Sequence, residues 1–440
     1  MKAAFIIAAP TSGPGKTTIA RGLMALLTSK GMKVQPFKCG PDYIDTKFHE
    51  SVCRRPSINL DTFMATPEHV RELFVHYGSD ADVCIVEGMM GLFDGYDRDK
   101  GSSAEIARVL DIPVVLVVDA KSAAYSMAPL LSGFINFRKD IHIAGVIFNK
   151  VGSERHFKML QQVCDDIGVE CLGYLPKSSS LETGSRYLGL DFSQQSGSEE
   201  LVLMLERFID LERLKTVSHL FPREKHVVST GETSCFYGRN KLFQREKQMK
   251  ESRVLIASNS EAFSFLYAEV VDGFTSPRFF DPEKDVPTME NTDLLYLPGG
   301  YPEKHLKALV RNEACRQAIR QFAEQGGHIV AECGGMMYLC KSIVTDDGEY
   351  PMCGVLPYSI TARKADRKLS LGYRRFELDG KEYRGHEFHY TQFYRGEGSE
   401  TRDEGIPSAA QVYNAKGEPV DTPVFRYKNV LASYTHLYNF

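Results

Sequence analysis

Net charge, paired cysteines and long apolar runs are all scarce in this sequence of 440 residues. Its 53 lysines and arginines nearly balance 57 aspartates and glutamates, which leaves a formal charge of −4. Such a chain lacks the excess of positive charge that is typical of proteins that bind nucleic acids or membrane surfaces, so neither is expected as a partner. No apolar run approaches the roughly 20 residues of a membrane-spanning helix. Small, discrete ligands are therefore the better expectation.

The ten cysteines contain no Cys-x-x-Cys pair, which argues against structural zinc and against a disulfide framework. A reducing compartment fits this cysteine usage better. The apolar residues 3–9 after Met1-Lys2 resemble the start of a signal peptide, but they lead directly into a candidate binding loop rather than a cleavage site. The sequence therefore predicts a soluble, cytoplasmic protein.

The chain is too long for one hydrophobic core, and its pattern divides it in two. In the first half, short β-branched runs alternate with amphipathic stretches, which predicts a doubly wound parallel α/β sheet. The predicted strands are 3–8, 34–37, 83–86, 113–118 and 143–148, and the predicted helices are 17–27, 67–77, 103–110 and 155–167.

From about residue 214 the apolar periodicity breaks and basic residues accumulate, which is typical of a solvated linker. A second α/β pattern follows, with predicted strands 254–257, 294–297, 329–331, 384–390 and 430–434 and a helix over 316–325. We therefore expect an N-terminal domain over 1–213, a linker over 214–252 and a C-terminal domain over 253–440.

Residues 10–17 lie between a predicted strand and a predicted helix, where a phosphate-binding loop (P-loop) is found. They match G-x-x-x-x-G-K-[ST] except at the first position, which is Pro10. Gly13 and Gly15 permit turns that direct backbone N–H groups at phosphates, and Lys16 supplies a positive charge. Thr17, followed by Thr18, offers a hydroxyl to Mg²⁺. The motif predicts nucleotide binding.

Acidic residues follow the strands that neighbour this loop. Glu87 follows the strand over 83–86, Asp42 and Asp45 follow the second strand, and Asp94 lies between two glycines in Gly91–Gly95. Carboxylates at the carboxyl edge of a parallel sheet suit Mg²⁺ and substrate. Each of them fits equally a turn residue or a helix cap. As a set they predict metal or substrate binding.

A second candidate site surrounds Cys333, which lies between the strand over 329–331 and a glycine-rich helix start. Small neighbours in a strand–turn–helix context are typical of a nucleophile elbow. The helix N-terminus is expected to lower the thiol pKa, and Gly334 is expected to offer its N–H to an oxyanion. Gly300, at the end of another strand, is a second candidate oxyanion donor. The alternative is that Cys333 is a small buried apolar residue.

A cysteine nucleophile requires a base, and His436 follows a predicted strand in an ordered-looking context. His386 and His389 are alternatives for the base. They could also form a metal-binding pair at i, i+3, but on a strand that spacing places them on opposite faces. For these two histidines we expect substrate contact or structural hydrogen bonding instead.

Taken together, these segments resemble the cobyrinate a,c-diamide synthases, a family of glutamine-dependent amidoligases of corrinoid biosynthesis, over nearly the whole chain. The segments that carry the resemblance are 9–18, 38–45, 59–64, 86–95, 298–303, 332–336 and 434–437. The glycine-rich loop is common to many ATPases, whereas the segment 87–95 combined with a cysteine elbow is far more selective.

The resemblance implies a nucleotide domain like that of dethiobiotin synthetase and a class I glutamine amidotransferase domain. It implies ATP, glutamine and cobyrinate as ligands, Mg²⁺ as cofactor, and acyl phosphate intermediates. By the same resemblance Cys333 is the glutaminase nucleophile and His436 its base. It assigns metal binding to Thr17, Asp45 and Glu87, and substrate binding to Asp42, Asp45 and Asp94. Whether the chain forms a homodimer stays open.

The sequence departs from the family pattern in two motifs and from the ordinary class I pattern at one position. Tyr187 and Asn259 replace the usual histidine and arginine of two family motifs, and this puts acceptor detail in doubt. Ordinary class I amidotransferases carry a glutamate two residues after the histidine, and here Tyr438 occupies that position. The resemblance then implies a Cys–His dyad without an orienting carboxylate.

Two alternatives remain open. Nickel-sirohydrochlorin or hydrogenobyrinate is an alternative acceptor within the same reaction class. A partitioning or regulatory ATPase of the deviant P-loop type is an alternative of another class. That type has a leading lysine where Thr11 stands, and it has no use for a cysteine elbow.

Overall fold

A computed structural model describes residues 3–178, 196–218, 253–394 and 405–438. The chain divides into two compact units, Met1–Val228 and Ser229–Phe440. Among the described residues, no helix combines the length and the apolarity that crossing a bilayer requires.

The first unit alternates strands and helices along most of its length. Its strands are β1 (Ala3–Ala8), β2 (Val34–Cys39), β3 (Ile58–Leu60), β4 (Val83–Glu87), β5 (Val114–Asp119), β6 (Ile143–Val151) and β7 (Glu170–Pro176). Its helices are α1 (Lys16–Ser29), α2 (Ile44–Cys53), α3 (Pro67–Gly78), α4 (Ser103–Leu110), α5 (Met127–Phe137), α6 (Glu154–Ile167), α7 (Ser196–Phe208) and α8 (Leu211–Ser218).

In the described part of this unit, seven strands form one sheet in the order β3-β2-β4-β1-β5-β6-β7. Every pairing in it is parallel. Strands such as β1 are buried along their whole length because helices cover both faces of a parallel sheet. The carboxyl ends of β2, β4 and β1 therefore lie side by side, and the loops that follow them converge.

The second unit is built mainly from strands. They are β8 (Val254–Ala257), β9 (Arg278–Phe280), β10 (Leu294–Leu297), β11 (Ile329–Glu332), β12 (Cys340–Thr345), β13 (Gly348–Pro351), β14 (Leu356–Thr361), β15 (Ser370–Leu378), β16 (Lys381–His389), β17 (Gln392–Phe393), β18 (Val412–Tyr413), β19 (Pro419–Val420), β20 (Val424–Tyr427), β21 (Val430–Ser433) and β22 (His436–Leu437). The helices are α9 (Ala268–Asp272), α10 (Leu306–Arg311), α11 (Glu313–Glu324) and α12 (Gly334–Leu339), with 3₁₀ turns at Pro302–Lys304 and Lys364–Asp366.

Within the described residues, this unit contains a six-stranded sheet in the order β20-β21-β11-β10-β8-β9. Two further sheets have the orders β13-β12-β14-β17 and β19-β18-β15-β16-β22. β11 lies between β10 and β21 and pairs in parallel with both. The residues that follow these three strands, which include Gly299, Cys333 and Tyr434, therefore begin at one edge of the sheet.

The structure confirms the two α/β domains that the alternating pattern predicts. It adds strands that the sequence did not predict, β3 and β7 among them. Residues 214–218, assigned to the linker from sequence, are helical in α8, where Leu214 and Val217 are buried. The rest of the predicted linker, 219–252, and the segment around Tyr187 lie outside the described residues.

Candidate active sites

The loop after β1 has the backbone geometry that a phosphate-binding loop requires. Gly13 and Gly15 have φ of 96° and 102°, and α1 begins directly after Gly15. A Cβ on Gly15 would lie 2.3 Å from Nδ2 of Asn149, which donates to the carbonyl of Pro14 at 2.7 Å. Position 15 therefore excludes a side chain both by conformation and by space.

The first residues of α1 carry the predicted nucleotide-binding side chains. The ammonium of Lys16 donates to the carbonyl oxygens of Thr11, at 3.2 Å, and Met90. Thr17 donates through its hydroxyl to Oε1 of Glu87 at 2.6 Å, and Thr18 follows in the same helical turn. The structure thus brings Lys16 and Thr17 together with the β4 edge, as the sequence predicts.

Glu87 is the centre of a buried charged cluster. Its Oε1 is 3.4 Å from the ammonium of Lys38, which also lies 3.1 Å from Oδ2 of Asp45. Its Oε2 is 2.7 Å from Nε2 of His49, whose Nδ1 is 3.0 Å from the hydroxyl of Ser57. The cluster ties β2, α2 and α1 to the end of β4.

The charges in this cluster stabilise one another. Burial by itself would raise the pKa of Glu87, but Lys38 and His49 outweigh it and hold this pKa below its ordinary value. Burial opposes the charge on Lys38 as well, yet Glu87 and Asp45 raise its pKa. Glu87 is therefore ionised at neutral pH, as a metal ligand has to be.

Lys38 and His49 are functional candidates that the sequence analysis missed. A signal for Lys38 was available, because it is a lysine inside a strand that is buried along its length. His49 gave no such signal, since its contact with Glu87 depends on how α2 packs against the sheet.

Asp42 and Asp94 lie in the loops where the sequence places them, and both bond the backbone of their own loops. Oδ1 of Asp42 accepts from the N–H groups of Ile44, at 2.9 Å, and Asp45, at 2.8 Å, at the start of α2. Oδ2 of Asp94 accepts from the N–H of Gly91 at 3.0 Å. These are the turn and capping contacts considered above as the alternative to substrate binding.

The donor set beside the loop suits Mg²⁺. Thr17 and Glu87 offer a hydroxyl and a carboxylate oxygen 2.6 Å apart, and the carboxylate of Asp45 lies on the other side of Lys38. Mg²⁺ prefers such hard oxygen ligands and completes its shell with water and nucleotide phosphates. Among the described residues, no group of three or more histidine, cysteine or acidic side chains is arranged to hold a metal ion.

In the second unit, Cys333 occupies a strained turn between β11 and α12. Its φ is 44° and its ψ is −107°, which a residue other than glycine rarely adopts. A Cβ on Gly335 would lie 2.0 Å from the carbonyl oxygen of Leu297, so the turn needs a glycine there. This is the geometry of a nucleophile elbow.

The pKa of the Cys333 thiol is raised rather than lowered, because burial outweighs the helix start. Burial raises the pKa of Cys333, the Glu303 carboxylate raises it further, and the N–H of Gly334 opposes them only in part. α12 has just six residues, so its N-terminal field is weak compared with the loss of water around a side chain that is 3% exposed. Cys333 therefore rests as a thiol and needs a base.

The two predicted oxyanion donors are neighbours in space. A Cβ on Gly334 would lie 2.8 Å from the carbonyl oxygen and 3.0 Å from the nitrogen of Gly300. Gly300 has φ of 155°, and a Cβ there would lie 2.3 Å from the carbonyl oxygen of Ala262. Only glycine fits this loop, and its backbone lies beside the elbow.

His436 is fully buried close to the same elbow. A Cβ on Gly299 would lie 2.1 Å from Cε1 of this imidazole, so the glycine makes room for the ring. Burial, then His386 and His389, lower the pKa of His436. The imidazole is therefore neutral at physiological pH, which is the state in which it accepts a proton.

His386 and His389 make structural contacts, one of the two roles expected for them. Nδ1 of His386 is 3.0 Å from the hydroxyl of Tyr267, and its ring stacks on that of His436 with centroids 5.0 Å apart. His389 lies 2.9 Å from Glu387 and 2.8 Å from the carbonyl oxygen of Thr391. The two histidines thus serve different networks.

Comparison with known proteins now identifies the two units. Residues 5–188 match the CobQ/CobB/MinD/ParA nucleotide binding domain, and residues 272–440 match the CobB/CobQ-like glutamine amidotransferase domain. The chain is 38% identical over 454 residues to a cobyrinate a,c-diamide synthase of Caldanaerobacter subterraneus subsp. tengcongensis, with 98% of this chain and 94% of that protein covered. The chain belongs to the a,c-diamide synthase family.

Other members of the a,c-diamide synthase family are almost as similar. A hydrogenobyrinate a,c-diamide synthase of Brucella anthropi is 36% identical, with 99% of this chain and 98% of that protein covered. Another, of Streptomyces coelicolor, is 35% identical, with 98% of this chain and 93% of that protein covered. These enzymes differ in the acceptor that they are named for, so the identities alone do not separate the acceptors.

Proposed function

We propose that this enzyme amidates the a and c carboxylates of cobyrinate, using ATP and the ammonia of glutamine. The observation that carries the proposal is the presence of a P-loop and a cysteine elbow in a chain that resembles a cobyrinate a,c-diamide synthase end to end. A cytoplasmic location and a homodimer, considered from the sequence, stay predictions.

ATP is needed because a carboxylate has no good leaving group and its charge repels nucleophiles. Transfer of the γ-phosphoryl group to the acceptor carboxylate creates an acyl phosphate, and catalysis of that step is mainly positioning and charge neutralisation. Lys16 and the backbone N–H groups of the loop provide both for the phosphates. Mg²⁺, held by Thr17 and Glu87 with Asp45 nearby, would neutralise phosphate charge.

Ammonia comes from the second unit. His436 takes the thiol proton of Cys333 as the sulfur attacks the amide carbon of glutamine, and the N–H groups of Gly300 and Gly334 stabilise the resulting oxyanion. The His436 imidazolium returns this proton to the amide nitrogen as the tetrahedral intermediate collapses, which releases ammonia and leaves a thioester that water then hydrolyses to glutamate. The ammonia has to meet the acyl phosphate before water does, which is why one chain carries both activities.

Hydrogenobyrinate is a second candidate acceptor, favoured by the relatives that are 35–36% identical. Amidation rates measured side by side with cobyrinate and hydrogenobyrinate separate the two. A preference for hydrogenobyrinate would change the acceptor and leave the reaction class intact.

Two substitutions test the division of labour. Cys333→Ala removes the sulfur nucleophile and is expected to abolish amidation with glutamine while ammonium salts still support it. Lys16→Ala is expected to stop amidation from both nitrogen sources. If folded Cys333→Ala enzyme also fails with ammonium, the proposed roles of the two units are wrong.

A further inference from the structure

Glu332 is a buried carboxylate that the mechanism above leaves without a role. It is the last residue of β11, directly precedes Cys333, and is 0% exposed. Its Oε1 accepts from the backbone N–H of Leu437 at 3.0 Å, and its Oε2 accepts from the hydroxyl of Tyr296 at 2.9 Å. The same Oε2 lies 3.9 Å from Nδ1 of His436.

The fold brings this carboxylate, one residue before the nucleophile, next to the base. β11 pairs with β21 so that Glu332 lies opposite Ser433, and the N–H of Cys333 donates to the carbonyl of Ser433 at 2.8 Å. From Ser433 the chain continues over two residues to His436. Glu332 therefore contacts His436 and Leu437 from the strand that carries Cys333.

We propose that Glu332 is the positioning carboxylate of His436. This inference rests on the proposed glutaminase role of Cys333 and His436. It replaces the expectation, drawn from the sequence, that the site lacks an orienting carboxylate. Tyr438, which stands where ordinary class I enzymes have their glutamate, directs its hydroxyl to Glu269 at 3.1 Å.

The contact defines what Glu332 does for the imidazole. A carboxylate oxygen on the Nδ1 side favours the tautomer with its proton on Nδ1, which leaves the Nε2 lone pair available to take the thiol proton of Cys333. When His436 becomes an imidazolium, the ionised carboxylate stabilises the new charge. The contact of Oε1 with Leu437 N–H fixes the carboxylate relative to the backbone that follows His436.

The proposed role of Glu332 depends on pH, because only the ionised carboxylate stabilises an imidazolium. Burial raises the pKa of Glu332 to about 8, against the hydrogen bonds from Tyr296 and Leu437. Four other titratable groups around it keep one state near pH 8. Burial and nearby negative groups raise the pKa of Tyr296 and Cys333, and burial lowers that of His436 and brings that of His386 to about 3.

Two further groups belong to these surroundings. The hydroxyl of Tyr267 faces His386 and contributes to the raised pKa of Tyr296. Glu303, whose pKa burial raises to about 7, acts on Cys333. Since Glu303 is unchanged in a Glu332 variant, the difference between two pH profiles isolates Glu332.

A purely structural role for Glu332, joining Tyr296 to the backbone of Leu437, makes different predictions. Glutamine keeps the shape of glutamate and retains an oxygen acceptor, so a structural role survives Glu332→Gln. A charge that positions and stabilises an imidazolium does not survive it.

The test compares glutamine hydrolysis by the full-length enzyme and its Glu332→Gln variant in the presence of ATP and cobyrinate. We expect kcat for glutamine to fall roughly 10- to 100-fold, by analogy with the loss seen when a group that orients a metal-binding imidazole is removed. KM for glutamine and ammonium-supported amidation stay unchanged, and the rise of kcat/KM that accompanies ionisation near pH 8 disappears.

Glu324→Gln is the matched control. Glu324 accepts from the hydroxyl of Tyr427 at 3.0 and 3.1 Å, so the same type of tyrosine–carboxylate bond is changed at an exposed site in the same unit. This control is expected to behave as wild type. If Glu332→Gln fails to fold, Tyr296→Phe removes one of the two donors to the carboxylate and is expected to lower kcat by a smaller factor.

The outcomes separate this inference from the proposed function. Wild-type kcat and an unchanged pH profile in folded Glu332→Gln enzyme would overturn the role of Glu332 alone. Loss of ammonium-supported amidation in that variant would also overturn it. If the wild-type enzyme does not hydrolyse glutamine, the proposed function itself fails.

Discussion

Replacing Gly15 with alanine is the sharpest perturbation of the nucleotide loop that the structure offers. The residue has φ of 102° directly before α1, and a Cβ there would lie 2.3 Å from Nδ2 of Asn149. Asn149 would have to move, and its 2.7 Å hydrogen bond to Pro14 would be lost. The loop would then relax away from the conformation that directs N–H groups at phosphates.

The size of the effect follows from these two costs. A left-handed conformation costs alanine about 1–2 kcal/mol, and the lost hydrogen bond costs about 1 kcal/mol. If the nucleotide requires the native loop, a total of about 2–3 kcal/mol weakens binding roughly 30- to 150-fold. In an Asn149→Ala background the clash with Asn149 and its hydrogen bond are already absent. Gly15→Ala should there weaken binding only by the backbone strain, roughly 5- to 30-fold.

Isothermal titration with ADP in the presence of Mg²⁺ measures this effect. Gly31→Ala is the control, because Gly31 has φ of 79° just beyond the other end of α1 and nothing lies within 4 Å of a Cβ there. It shares the strain but is not part of the loop, so we expect a lower melting temperature and unchanged affinity. Wild-type affinity for ADP in Gly15→Ala would refute the assigned loop geometry.

Three further predictions concern buried contacts. Lys38→Met leaves Asp45 and Glu87 without their shared cation. We expect urea titration to show a loss of about 3–5 kcal/mol in unfolding free energy, and adding Glu87→Gln to this variant should restore part of it. An unaltered urea midpoint would contradict the charged cluster. Gly299→Ala displaces the His436 imidazole, so we expect glutamine-supported amidation to drop at least tenfold and ammonium-supported amidation to persist; equal losses in both assays would show a general folding defect instead. The pKa of Glu332 rises from its ordinary value near 4.5 to about 8 in the folded state. Between these two pH values the folded protein holds a proton that the unfolded chain releases, so wild-type stability falls as pH rises through this range. Glu332→Gln should lack this slope and gain roughly 2–5 kcal/mol over wild type between pH 5 and 8 in urea unfolding, whereas parallel curves for the two proteins would rule out the buried proton.

Local patterns predicted the strand, turn and helix of the nucleotide loop because these parts are contiguous in the chain. Residues 3–29 contain a buried strand, a glycine turn and the start of a helix, and the apolar run that ends at Glu87 is an equally clear strand pattern. The roles of Asp42 and Asp94 were less predictable, because an aspartate near a turn has the same sequence pattern whether it caps a helix or binds a substrate.

Tertiary contacts account for what the sequence did not predict. Lys38, His49 and Glu332 each depend on a partner at least 36 positions away, and no local pattern identifies that partner. The pKa of Cys333 was predicted in the wrong direction because the motif shows a helix start but neither its six-residue length nor the burial around the sulfur.

Mass analysis of the product formed from cobyrinate, glutamine and ATP decides whether the enzyme performs the proposed double amidation. We expect a product that carries two amide nitrogens, with isotope from amide-labelled glutamine in both, and no product from Lys16→Ala enzyme. Hydrolysis of glutamine and ATP without amidation of cobyrinate or hydrogenobyrinate would contradict it.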